Sequence, residues 1–246
     1  EDTERLIERV RSRMRDCRIT NEPIAVLGTA SVEYNPDGIH EAIHDSLDCL
    51  RNKKLLDRSS AHSESLYSLI NALEQSDGDT GEHVRRTQQL SAALGSRLGL
   101  NDLDMSNLAL LAMLHDIGKV GIPQEILNKP GALSRAEWEM LKTHVHKGYQ
   151  IAVRSNELSG IADYILYHHE RWDGKGYPEG LKGEEIPLLS RIIAIVDAYD
   201  AMSNNRAYRK ALSKSKIKQE LIAAAGTQFD PDVTYEFISL LFSSDK

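Results

Sequence analysis

At 246 residues the chain is longer than one typical domain without requiring two. Hydrophobic residues at 41% and charged residues at 27% suit a globular protein with a sizeable core, and exclude disorder, a collagen-like repeat and a coiled-coil rod. The net charge of −7 argues against a nucleic-acid polymer as partner, but not against a small phosphorylated molecule, because bound cations or a local arginine cluster can reverse the field of one pocket.

The elements follow in chain order. Leu6, Ile7, Val10 and Met14 recur at helical spacing, and Asn21-Glu22-Pro23 ends that helix. Ile24 to Ala30 reads as a buried strand, Asn35 to Gly38 as a turn, and Ile39 to Leu50 as a second helix. Helix, strand, helix is too little to close a core, so this stretch must pack elsewhere or on a missing partner. From about Ser60 the pattern is helices joined by polar loops. Leu66, Leu69, Ile70 and Leu73 mark one apolar face, and Val84 to Leu98 another, ended by Gly99. Leu103 to Ile117 is apolar enough to be central. Gly118 to Gly131 is a loop, and Ser134 with Glu137 forms a capping box for the helix that follows. Ile161 to His169 is helical and Arg171 to Gly183 is loop. Pro187 to Met202, Lys214 to Ala225 and Pro231 to Phe242 are helices. The expected fold is mainly α, a helical bundle over 58–246 preceded by a small α/β segment over 1–57.

No apolar stretch approaches the roughly 20 residues of a membrane helix. No signal peptide is visible, and a start at Glu1 rather than Met reads as a fragment or processed product. Two cysteines, Cys17 and Cys49, form no C-x-x-C pattern, which suits a reducing cytoplasm.

Histidine carries the chemistry. Of nine, two lie in the N-terminal segment, one is His62, and the other six lie deeper in the helical part: His83, His115, His144, His146, His168 and His169. His115-Asp116 ends the run Leu108 to Leu114, and Asp197 follows Ile192 to Val196. One ionisable residue on a buried helix is usually a hydrogen-bonded core group. An adjacent pair, with another on a second apolar helix, points to a metal centre. Imidazole and carboxylate without thiolate suit Fe, Mn, Ni, Co or Zn.

His83, His115-Asp116 and Asp197 resemble the H…HD…D signature of the HD phosphohydrolase superfamily. His144, and the run His168-His169-Glu170-Arg171-Trp172-Asp173-Gly174-Lys175-Gly176-Tyr177-Pro178, resemble the HD-GYP subfamily of bacterial cyclic di-GMP phosphodiesterases. Asp197 to Met202, Arg206 to Arg209 and Gly226 to Pro231 extend the likeness over about Leu66 to Phe242. The resemblance implies an HD-type helical bundle and two divalent ions, foremost Fe or Mn, bridged by Asp116. His115, His83 and Asp197 would hold one ion, and His144, His168 and His169 the other. A water shared by the ions would lose its proton near neutral pH and attack phosphorus, giving pGpG and, by a second cut, GMP.

Lys119 would bind a phosphate or departing oxygen. Arg206 and Arg209, three apart, would hold the second phosphate, although Ala207 stands where the family usually has Pro. Tyr177 and Pro178 would shape one wall of the pocket, and Arg171 would orient Asp or substrate groups nearby. Asp79 lies four residues before His83, where some members carry a glutamate that binds a third metal; here it serves either that use or an N-cap. Helix geometry turns His146 away from His144 towards solvent.

Residues 1–57 bear a weaker resemblance to the last third of a GGDEF domain, without its signature. The implied partners are cyclic di-GMP, a GGDEF or sensor domain upstream, and a second copy in a homodimer. Two rivals stand beside this reading: a hydrolase of another nucleotide, and a receptor that binds the cyclic dinucleotide without cutting it.

Overall fold

The structure is a computed structural model and describes residues 38–56, 81–205 and 210–242. Asp79, Arg206, Arg209, the strand over 24–30 and the helix around Leu6 to Met14 therefore lie outside the described residues. Ten α-helices and short 3₁₀ turns make up the described part. They are α1 Gly38–Leu56, α2 Gly81–Arg97, α3 Asp102–Leu114, α4 Gln124–Leu127, α5 Arg135–Lys142, α6 His144–Arg154, α7 Ala162–Leu166, α8 Leu188–Ser203, α9 Lys214–Ala224 and α10 Pro231–Phe242. Extended pairing among the described residues is confined to two isolated bridges, Asp173 with Lys182 and Ala225 with Phe229.

Helix α3 is the axis. Asn101 caps it, its side-chain oxygen accepting from the Asp104 amide at 2.8 Å, and Asp102 and Asp104 suit the positive end of the helix dipole. Leu108, Leu110, Leu111, Ala112 and Leu114 are all buried, so the helix is covered on nearly every side. Each of those leucines contributes about 1.5–3 kcal/mol by leaving water. Helix α8 is its apolar neighbour, burying Leu189, Ile192, Ile193, Ile195 and Val196. Helix α2 meets both with a stripe of smaller residues, His83, Thr87, Ser91, Leu94 and Gly95. A Cβ on Gly95 would fall 2.9 Å from the Leu108 side chain, which shows how closely α2 and α3 approach.

Helix α1 belongs to the segment 1–57 but packs on α3. Its Asn52 amide donates to Ser106 Oγ at 3.2 Å and to Asn107 Oδ1 at 2.7 Å, and Leu55 joins the common core. Helices α9 and α10 close the other side through Ile217, Leu221, Val233 and Phe237.

Several elements differ from the periodicity reading: α1 runs on past Leu50 to Leu56, and the expected loop over Gly118 to Gly131 contains α4. The central helix stops at Leu114 rather than Ile117, and a 3₁₀ turn over Ile117–Gly121 follows, with Lys119 N–H bonded to Asp116 C=O at 2.9 Å. The cause is a close approach: a Cβ on Gly118 would sit 1.8 Å from the His144 carbonyl oxygen, so the chain must turn there to seat against α6. Helix α7 ends at Leu166, leaving His168 and His169 in the turn that follows.

Candidate metal centre

The short end of α7 solves a geometric problem. Neighbouring residues in a regular helix point about 100° apart, so two adjacent rings cannot share one site. In the turn after α7 the two rings lie 4.0 Å apart between centroids, and both face the same group of donors. Asp116 and His144 complete that group, while His83, His115 and Asp197 form a second one. Within each group the candidate ligand atoms lie within 4.8 Å of one another.

Asp116 stands between the two. Its Oδ1 faces His144 Nε2 at 3.4 Å and His168 Nε2 at 3.8 Å, while its Oδ2 faces His115 Nε2 at 3.5 Å. Across the second group, His83 Nε2 lies 3.8 Å from Asp197 Oδ1. Five imidazoles and two carboxylates from five parts of the chain thus converge on a space inside an apolar bundle.

Hydrogen bonds on the far side of the rings fix which nitrogen looks inward. His144 Nδ1 donates to the Leu141 carbonyl at 2.8 Å, and His168 Nδ1 to the Ile165 carbonyl at 2.6 Å. Both Nε2 atoms then turn inward and lie 3.4 Å apart, an arrangement that suits a cation beside them. His83 Nδ1 donates to Asp200 Oδ2 at 2.7 Å with the same consequence. His115 has neither ring nitrogen hydrogen-bonded although both are buried, and Asp116 Oδ1 is likewise buried without a donor. Orphaned buried acceptors of this kind fit a cation better than an apolar core.

Charge agrees with that fit. Burial, and secondarily the neighbouring histidines, push the His169 imidazole well below its ordinary pKa. Burial lowers His144 to about 4 and lowers His115 as well, with Asp116 opposing in both cases. These rings are therefore uncharged at neutral pH and free to donate lone pairs. Burial works against the Asp116 charge, yet the Lys119 ammonium at 2.9 Å and the surrounding imidazoles outweigh it and hold the carboxyl well below its usual range.

The loop after His169 forms one wall. Glu170 is buried, and its Oε1 accepts from the Glu179 and Gly180 amides at 2.7 and 2.9 Å. Gly176 passes so close that a Cβ would lie 2.5 Å from the Glu170 Cα, so only glycine fits. This fold-back lays the Tyr177 ring on His169, with centroids 5.0 Å apart and a cis peptide to Pro178. Arg171 does not point into the donor groups; its guanidinium closes on Asp173 at 3.1 and 3.0 Å. His146 is exposed and outside both groups.

Sequence reasoning passed over two contributors. Asp200 accepts from His83 and, at 2.5 and 3.0 Å, from Arg86. Its signal was available: a second carboxylate three residues after Asp197 shares the inward face of α8. Glu170 carried no signal beyond its place in the motif.

A helical bundle whose interior presents two imidazole–carboxylate donor groups joined by an H-D pair has the donor set of a divalent-metal site. The chain belongs to the HD domain family, whose profile matches residues 67–233. A cyclic di-GMP phosphodiesterase of Thermotoga maritima is 39% identical over 178 residues, covering 71% of this chain and 48% of the relative. A 3'3'-cGAMP-specific phosphodiesterase 2 of Vibrio cholerae is 38% identical over 179 residues, covering 72% and 34%. The chain thus spans half or less of the length of these curated relatives. Among solved structures, a cyclic GMP-AMP specific phosphodiesterase of V. cholerae aligns with a TM-score of 0.54 at 25% identity, over 74% of this chain and 49% of that one. Bd1817, an HDG"Y"P protein from Bdellovibrio bacteriovorus, aligns with a TM-score of 0.56 at 16% identity over 98% and 81%, which speaks for the fold alone.

Proposed function

We propose that the chain is a metal-dependent phosphodiesterase that hydrolyses cyclic di-GMP to linear pGpG, with GMP from a second cut. The observation that carries this reading is the single carboxylate of Asp116 turning one oxygen to each donor group. One divalent ion would rest on His83, His115 and Asp197, and another on His144, His168 and His169, with Asp116 shared. Iron or manganese suits that set best, with nickel, cobalt and zinc as alternatives; a third ion would need Asp79. When bound, two such ions neutralise phosphate oxygens and acidify a water near neutral pH.

The chain's own groups do the rest. Lys119, held beside Asp116, offers its ammonium to a phosphate or departing oxygen. Tyr177 and Pro178 wall the pocket and exclude water, and Arg171 steadies the loop through Asp173. Arg206 and Arg209 would hold the second phosphate. Residues 58–246 would form the catalytic domain. The segment 1–57 would link it to a sensor or GGDEF domain, with α1 as the joint, and a second copy of the chain would complete a homodimer. A cytoplasmic site of action goes with this reading, where buried Cys49 stays a thiol.

The relatives specific for 3'3'-cGAMP, almost as similar as those named for cyclic di-GMP, support a second reading in which the mixed dinucleotide is the substrate. The test is metal content per chain, paired with separation of products after incubation with cyclic di-GMP and, separately, cyclic GMP-AMP. Two or more ions per chain, turnover of cyclic di-GMP to pGpG, and its loss in Asp116→Ala with binding retained are the expected results. One ion or fewer at full activity, or unchanged turnover in Asp116→Ala, overturns the proposal.

A further inference from the structure

Helix α5 is short, buries none of its residues completely, and runs through Thr143 directly into His144. Its hold on the fold is local: the Ser134–Glu137 capping box and an ion pair from Lys129 to Glu137 at 2.6 Å. It nevertheless presents Trp138 at 46% exposure. A large aromatic ring left in water on a helix with little core of its own is unusual, and its surroundings here are specific. Trp138 stands edge-on to Tyr177 at 6.4 Å between centroids and 80° between planes. Tyr177 in turn lies on His169. Lys142, one helical turn after Trp138 and on the same face, places its ammonium 5.7 Å from the Tyr177 centroid. An unbroken aromatic path therefore runs from the outer surface to the donor groups, with one cation beside it. The ammonium is held by Glu139 at 2.8 Å, a surface pair that is cheap to exchange for another acceptor.

We propose that Trp138 and Lys142 form a nucleobase subsite: a purine of the cyclic dinucleotide stacks on the exposed Trp138 face while its acceptor edge meets Lys142. This rests on the phosphodiesterase reading above and extends it to base recognition. Every nucleobase has a π-face, so the tryptophan supplies affinity without choice. The choice comes from Lys142, which has three donors and no acceptor. Guanine offers O6 and N7 as adjacent acceptors, whereas adenine replaces O6 with an amino donor. The subsite therefore favours guanine.

The metal-loaded full chain tests this with cyclic di-GMP, cyclic di-AMP and methyl p-nitrophenyl phosphate, a diester without a base. Trp138→Ala should raise KM for cyclic di-GMP about tenfold, leave kcat near wild type, and leave hydrolysis of the small diester unchanged. Trp138→Phe should recover most of the loss. Lys142→Met should narrow the preference for cyclic di-GMP over cyclic di-AMP. In the binding arm, cyclic di-GMP should quench the fluorescence of Trp172→Phe, in which Trp138 is the one tryptophan left. An unchanged KM in Trp138→Ala, an equal loss on the small diester, or no quenching in Trp172→Phe overturns the subsite. A metal-loaded wild type that cleaves the small diester but no cyclic dinucleotide overturns the cyclic-dinucleotide substrate reading instead, and the fluorescence arm then decides the subsite by itself.

Discussion

Asp200 is not among the grouped donors, yet it holds His83 in the tautomer and orientation that turn its Nε2 inward. Burial pushes against its charge, but hydrogen bonds from His83 and Arg86 hold its pKa at about 2. Asn204 adds a further donor at 3.0 Å. Partners of this kind matter to metal sites nearly as much as the ligands. Asp200→Ala is expected to weaken metal binding about 10–100-fold, read by competition with a chelator, while Asp200→Asn, which can still accept from His83, loses less. Among the seven grouped donors, His115, Asp116 and Asp197 were legible because an ionisable residue on an apolar helix contradicts its surroundings, whereas His83, His144, His168 and His169 were reached only through the family resemblance. Asp200 was less visible, because the groups that explain it, His83 and Arg86, lie more than a hundred residues away. Trp138 was invisible for a different reason: the sequence shows what a helix presents, not what stands opposite it.

The meeting of the 3₁₀ turn and α6 is a contact of backbone on backbone. Gly118 lies against the His144 carbonyl, and a Cβ on Gly148 would sit 2.8 Å from Ile165. Gly118→Ala cannot be absorbed by a rotamer change, since the obstructing atom is main chain. It should cost at least about 3 kcal/mol in urea unfolding and lower metal content per chain, because Asp116 and His144 would be driven apart. Nothing in the helical periodicity announced this. The alternation of apolar residues extends to Ile117, and only the packing against α6 shows why α3 gives way three residues earlier. The start of α5, by contrast, was readable from Ser134 and Glu137 alone. Its carboxyl carries a pH signature: the Lys129 hydrogen bond and the Ser134 amide lower Glu137 from the ordinary 4.5 to about 2. A depressed carboxyl stabilises the fold fully above its unfolded pKa and loses that effect on protonation. The advantage of wild type over Glu137→Gln, read as the difference in urea midpoints, is therefore expected to be constant above pH 4.5 and to shrink as pH falls towards 2.

At the scale of the molecule, the donor groups sit where α2, α3, α6, the turn after α7 and α8 meet, so ions bound there tie together elements far apart in sequence. Cations that bind only the folded chain stabilise it by mass action. Stripping metal with a chelator should lower Tm by at least about 5 °C, and manganese(II) should restore it. An unchanged Tm after complete stripping would mean that the groups hold no ion in common. The overall helical layout was legible because long apolar runs in α3, α8 and α10 mark them as buried helices. The place of α1 was not, because its polar contacts with α3 leave no mark in hydrophobic spacing.

Those contacts set up a mechanical series. Asn52 meets Ser106 and Asn107 in one register only, and α3 runs on rigidly from there to the HD pair. Sliding α1 by a single turn would break both bonds and leave a buried amide unpartnered, so the two helices are locked in one register along the span that leads to His115 and Asp116.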